Sequence, residues 1–269
     1  MLLHKPINDT NNNIVTANKN PLVDCTPKEF ELLIRYRDRY GMRAAVMGGA
    51  HTVNQLIDFY DTSEHITCIT GCFSGTLGYL CSELEKNEKQ FSEIVKDAVD
   101  MKFTEPNPID DLNGRDVARK LVIIARSLNY PVNLEDVKLE SFIDTNKYLG
   151  YSINDFLNKI SEENESISKK FREAKEKGQT LRYIASLEIT DRPPKLPNLK
   201  VGLESISKDS ILGSLKGSAN KISIRTTIFS EGKEYIIQSP GAGIDVTATG
   251  IRRDLLRMLK GRKSGNYHL

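Results

Sequence analysis

The residues best equipped for chemistry lie in one run, Phe103-Thr104-Glu105-Pro106-Asn107-Pro108-Ile109-Asp110-Asp111-Leu112-Asn113-Gly114-Arg115-Asp116-Val117-Ala118-Arg119-Lys120. Val117, Leu121, Ile124 and Leu128 recur at helical spacing, so a helix is predicted over Arg115–Ser127. On it Asp116 and Lys120 stand at i and i+4, side by side and about 100° from the apolar stripe. A partly desolvated lysine beside a carboxylate can present a proton to a developing alkoxide, with the carboxylate fixing its direction. Glu105, Asp110 and Asp111, on the segment before the helix, could hold a substrate ammonium. The same spacing also describes an exposed helix ion pair worth about 0.3–0.5 kcal/mol.

The elements that must position these groups can be read from periodicity and punctuation. Residues 104–114 hold three acids, two prolines and a glycine and read as a loop. Ile14 to Ala17 is a short β-prone stretch after a polar lead-in. Thr26-Pro27-Lys28-Glu29 reads as a capped helix start, and Gly41 as the stop of that helix. Residues 43–47 read as extended, 53–60 as helix, and 66–73 as a buried strand leading through Ser74-Gly75-Thr76 into another helix. Phe91, Ile94, Val95 and Ala98 mark a further helix. Residues 153–177 form a charged amphipathic stretch, with Ser152 and Asp155 placed as a capping box. Strands follow at 181–188, 200–204, 221–229 and 234–238, then a last helix at 245–259 with a basic tail. Interleaved helices and strands early, with strands clustered late, predict an α+β fold: a mixed sheet with helices packed on it.

Composition excludes whole classes of function. The chain has 269 residues, enough to bury a large core, and carries 38 Lys and Arg against 36 Asp and Glu. A net charge of +2 argues against a protein built around nucleic acid or a membrane surface. Arg252, Arg253, Arg257, Lys260, Arg262 and Lys263 read as a solvated helix face with a basic tail. No apolar run is long enough to span a bilayer, and residues 1–10 lack the build of a signal peptide. Cys25, Cys68, Cys72 and Cys81 contain no C-x-x-C pair and read as reduced, packed thiols of a cytosolic protein. His4, His65 and His268 show no metal spacing, so no metal site is assigned.

The run ending at Lys120 closely resembles the catalytic domain of homoserine dehydrogenase, departing from that family's motif at Phe103, Asn107 and Ile109. The resemblance extends to Val15-Thr16-Ala17-Asn18-Lys19, Phe73-Ser74-Gly75-Thr76-Leu77, Ser214-Leu215-Lys216-Gly217-Ser218 and Gly241-Ala242-Gly243-Ile244-Asp245-Val246-Thr247-Ala248. It implies interconversion of aspartate β-semialdehyde and homoserine with NADP or NAD. Lys120 would exchange the proton at the carbonyl oxygen and Asp116 would orient it. Lys19 would add a second positive charge near the substrate. Glu105 and Asp111 would hold the ammonium and hydroxyl end, with Gly75, Thr76 and Phe103 also against the substrate. Asn18, Lys19, Gly241 and Gly243 would meet the cofactor. By pattern alone Gly241-Ala242-Gly243 is a tight strand-to-helix turn. The resemblance also implies a homodimer formed through the sheet.

Two departures qualify what the resemblance implies. The family opens with a dinucleotide-binding domain marked by G-x-G-x-x-G. That spacing is absent, and the stretch before Ile14 is too short for such a domain. Residues 1–40 are therefore expected to be its remnant, 41–238 the catalytic and dimerisation domain, and 239–269 a glycine turn and helix returning toward the nucleotide side. A separate chain could supply the rest. Secondly, Ala44 stands where the family has a Glu that helps hold a monovalent cation, and His51-Thr52 where it has Leu-Pro. No cation is claimed, and His51 reads as a partly exposed loop histidine. The alternative reading is a non-catalytic relative that binds an amino acid or a partner subunit.

Overall fold

A computed structural model describes residues 12–191, 195–240 and 243–264, with backbone alone for the last four of these. Near the start, β1 (Ile14–Val15) pairs in parallel with β2 (Tyr40–Gly41), Ile14 facing Tyr40. Between them lie α1 (Asn20–Asp24) and α2 (Pro27–Arg35). Thr26 caps α2 as its spacing predicts: its hydroxyl accepts from Glu29 N, and the Glu29 carboxylate accepts from Thr26 N at 2.7 Å. The helix does not run to Gly41. It closes at Tyr36, and Gly41 is a strand residue whose missing Cβ leaves room for the Asp254 side chain.

The rest of the chain is built on α3 (Thr52–Asp61), β3 (Ile66–Cys72), α4 (Gly75–Lys86), α5 (Phe91–Asp100), α6 (Pro108–Leu112) and α7 (Arg115–Ser127). There follow β4 (Val137–Leu139), α8 (Ile153–Lys159), α9 (Asn164–Glu176), β5 (Gln179–Glu188), β6 (Asn198–Ser207), β7 (Asn220–Thr226), β8 (Tyr235–Ser239) and α10 (Ile244–Ser264). Strands β3 to β8 form one sheet in the order β4-β6-β5-β3-β7-β8. Every pair is antiparallel except β4 with β6, so the sheet is mixed, as expected.

Helices α4, α7 and α9 cover one face of β5. Helix α7 lies deepest: Ala118 and every residue from Leu121 to Ala125 are fully buried. The opposite face is covered at one end by the segment after β6, which seats Leu212 and Leu215 on Cys72 and Ile184. Arg182, 2 % exposed, holds that segment down by donating to the Gly213 and Leu215 carbonyls while paired to Glu85 at 2.7 Å. All four cysteines are buried free thiols.

Several expectations need correction. Residues 104–114 are not all loop: α6 forms there because Asn107 caps it and Pro108 is pre-set for a first turn, with Asp110 and Asp111 at the favourable end. Residues 43–45 form a 3₁₀ turn rather than an extended stretch, fixed by a hydrogen bond from Arg43 N to Asp254 Oδ2 and an ion pair between the two side chains. The charged stretch 153–177 is a helix pair, α8 and α9, joined by a 3₁₀ turn at Ile160–Glu163, where Ile160 and Glu163 are both buried. Strand β4 is too short for an alternation signal and owes its form to pairing with β6.

Gly114, the cap of α7, has φ +70°, and a Cβ there would lie 1.9 Å from the Tyr183 hydroxyl oxygen. Gly178 shares φ +70° but has nothing within 4 Å. Gly114→Ala is expected to cost about 3 kcal/mol and Gly178→Ala about 1 kcal/mol, read from urea-unfolding midpoints. Equal losses would mean that backbone conformation, not the Tyr183 contact, reserves position 114.

Candidate active site

The apolar stripe of α7 is committed to the core, which leaves Asp116 and Lys120 on the flank facing the N-terminal segment. Asp116 is shared: Lys120 Nζ lies 2.8 Å from Oδ2 and Lys19 Nζ 3.1 Å from Oδ1. Lys120 is turned inward, its side chain 12 % exposed, and donates to the Phe73 carbonyl at 2.6 Å. That carbonyl ends the strand-to-helix junction where Ser74 caps α4 by accepting from Leu77 N. Burial pushes the Asp116 carboxyl up, but the Lys120 and Lys19 ammoniums together outweigh it and hold it at about 2.

The acids before α7 are organised by one another. The Glu105 N–H donates to Asp111 Oδ2 at 2.8 Å, while Thr76, on the first turn of α4, donates to the Phe103 carbonyl at 2.7 Å. Phe103 packs edge-on against Tyr79. Burial pushes Asp111 up to about 6 despite the Glu105 amide. Asn18 Oδ1 accepts from Asn20 N, at the start of α1 beside Lys19.

An open cleft of about 1220 Å³ runs along this region. Asn18, Lys19, Glu105, Asp110 and Asp116 line it, with Arg115 and Arg119 on the same helix. Gly75, Thr76, Phe103, Asp111 and Lys120 do not line it; Lys120 touches the lining through Asp116 and Asp111 through the Glu105 amide. Direct contacts thus form two sets, Lys19 and Lys120 on Asp116, and Asp111 on the Glu105 amide. Gly243 is placed elsewhere, ahead of α10, which packs through Val246 on Gly48 and Gly49. Gly241 lies outside the described residues. His51 is exposed, 3.3 Å from an Arg43 nitrogen.

The sequence reading missed the far wall of the cleft: Leu134 and Glu135, and the turn from Tyr148 to Tyr151. Nothing in their spacing marks them, because they arrive from loops after α7. Among the described residues, no group of three or more His, Cys, Asp or Glu side chains could hold a metal ion, and no helix is long and apolar enough to cross a membrane.

A set of ammoniums and carboxylates this close suits a small zwitterionic substrate undergoing proton transfer. Homoserine dehydrogenase of Emericella nidulans is 34% identical over 226 residues, covering 81% of this chain and 60% of the relative. Bifunctional aspartokinase/homoserine dehydrogenase 2 of Escherichia coli is 37% identical over 208 residues, covering 77% of this chain and 24% of the relative. The chain therefore spans about a quarter of the length of such bifunctional relatives. Among solved structures, a Candida auris protein of unknown function superposes with a TM-score of 0.83 at 29% identity, covering 92% of this chain and 70% of that one. A homoserine dehydrogenase from Thiobacillus denitrificans shares the fold, with a TM-score of 0.74 at 20% identity over 96% of this chain and 54% of that one. The sequence model of the homoserine dehydrogenase family matches residues 52–256, which takes in the sheet, α7 and most of α10, and the chain belongs to that family.

Proposed function

We propose that this chain provides the substrate side of a homoserine dehydrogenase, interconverting aspartate β-semialdehyde and L-homoserine with NADP or NAD. The observation that carries the reading is the Asp116 carboxylate held between the ammoniums of Lys19 and Lys120. An ammonium has three donors. With one on Asp116 and one on the Phe73 carbonyl, Lys120 keeps a third for the substrate oxygen. In the reductive direction that N–H moves to the aldehyde oxygen as negative charge develops there, and in the oxidative direction Lys120 takes the hydroxyl proton back. Asp116 keeps Lys120 aimed through their 2.8 Å contact. Glu105 and Asp111 hold the substrate ammonium, Lys19 balances its carboxylate, and Gly75, Thr76 and Phe103 close the inner side.

Asn18 and Lys19, which edge the cleft, would meet the nicotinamide end of the cofactor, whereas Gly243, at φ +141°, lies away from that cleft ahead of α10. When bound, the nicotinamide supplies or accepts the hydride. Among the described residues no G-x-G-x-x-G turn cradles a pyrophosphate, so we assign that half of the cofactor to a nucleotide-binding domain. This domain would adjoin residues 1–40 in the same polypeptide or a separate one. Residues 41–238 then form the catalytic and dimerisation domain, pairing with a second copy through the sheet, and 239–269 return toward the nucleotide side. We place the protein in the cytosol and in the biosynthesis of threonine and methionine.

A non-catalytic relative would bind homoserine with no change in nicotinamide absorbance. Assay of the full-length protein with aspartate β-semialdehyde and either reduced nicotinamide cofactor separates the two readings. Turnover is expected, and Lys120→Ala should lower kcat by about 10²–10⁴-fold with little change in KM. Activity surviving that substitution would overturn the assigned mechanism.

The two carboxylates separate on the pH axis. Asp111, at about 6, becomes neutral as pH falls through that value and can no longer hold an ammonium. Asp116, at about 2, stays ionised throughout that range, and the stability it contributes is lost only as pH falls through about 2. The KM for homoserine is therefore expected to rise below about pH 6, and Asp111→Asn should flatten that limb while binding weakly at every pH. A limb unchanged in Asp111→Asn would assign it to another group.

A further inference from the structure

Near its C-terminal end, α7 carries a charged side chain that the reaction does not use. Arg126 is 3 % exposed and, among the described residues, makes no ion pair. Its Nη1 donates to the carbonyls of Leu22 at 2.8 Å, Val23 at 3.2 Å and Cys25 at 2.9 Å. Leu22 and Val23 lie in the last turn of α1 and Cys25 just after it, where carbonyls lack intrahelical N–H partners; Leu22 O also accepts from Cys25 Sγ at 3.5 Å. Arg126 Nε donates to the Val132 carbonyl at 2.8 Å and its Nη2 to Asn133 Oδ1 at 3.0 Å. The guanidinium stands over the Phe30 ring, 5.8 Å from its centroid.

Each partner leads to a wall of the cleft. Helix α1 begins immediately after Lys19, the residue that reaches back to Asp116 at 3.1 Å. Val132 and Asn133 immediately precede Leu134 and Glu135, which line the opposite side. The helix that carries Asp116 and Lys120 therefore also carries the group fastening both walls to it. A planar fork with five donors suits that task, because it reaches two separate segments at fixed angles where an ammonium cannot.

We propose that Arg126 is a positioning residue that sets the distance between Lys19 and Asp116, acting through the C-terminal carbonyls of α1. The proposal rests on the reading of Lys19 and Asp116 as parts of one substrate site. Lys120 is expected to be indifferent to Arg126, because its own anchors are Asp116 on the same helix and the Phe73 carbonyl at the end of β3.

The test needs no turnover, so it stands apart from the dehydrogenase assay. The full-length protein and its Arg126→Met and Arg126→Lys variants are pulse-labelled with acetic anhydride at the amines and, separately, with iodoacetamide at the thiols, and read by peptide mass spectrometry. In Arg126→Met, labelling of Lys19 and Cys25 is expected to rise by about fivefold or more, with Lys120 and the fully buried Cys72 unchanged. Arg126→Lys, which can satisfy the α1 carbonyls but not also Val132 and Asn133, should show a smaller rise at Lys19. Should the Met variant fail to fold, the same comparison on Arg126→Lys decides. A parallel rise at Lys19, Lys120 and Cys72 would reduce Arg126 to a general stabiliser, and no rise at Lys19 in a folded variant would remove the proposed role.

Discussion

A single carboxylate, Asp116, holds the site together. Its two oxygens are divided between Lys19, from the start of the chain, and Lys120, from one turn further along its own helix. Two ammoniums this close repel unless a negative charge lies between them, and a carboxylate this enclosed titrates upward unless cations surround it. Neither arrangement is stable without the other. The outcome is a group that remains charged far below neutral pH, and hence a lysine whose proton is aimed at all times.

That arrangement depends in turn on the burial of α7. Its apolar face is so fully committed to β5 and the flanking helices that the helix cannot rotate without bringing charge into the core. The azimuth of Asp116 and Lys120 follows from the packing of Leu121, Val122 and Ile124. The entry angle follows from Gly114, whose left-handed backbone and missing side chain let Tyr183 approach while the Tyr183 hydroxyl donates to the Glu140 carbonyl at 2.6 Å.

Much of this was legible in the residues and some could not have been. Helix α7 was readable to both ends because its stripe is unbroken and strongly periodic, and α2 because Thr26 and Glu29 form a reciprocal cap. The later strands were readable from their β-branched content. What escaped was structure imposed by distant partners. Strand β4 exists because β6 is beside it, and the 3₁₀ turn at Arg43 because Asp254 lies across from it. Helix α6 escaped for another reason: Asn107 and Pro108 are helix-starting residues that were read only as loop punctuation. For the site, the motif identified the charged members. Its inter-element contacts, such as Lys19 with Asp116, and its far wall from Leu134 to Tyr151 required the folded chain.

The carbonyl that receives Lys120 belongs to Phe73, one residue past the end of β3 and one before the cap of α4. The sheet's registration and the aim of the lysine therefore share one peptide group. A one-residue insertion or deletion between Cys72 and Ser74 would put a different carbonyl, or none, under the ammonium, even if strand and helix both survived. Chain length at this junction is as much a part of the chemistry as any side chain.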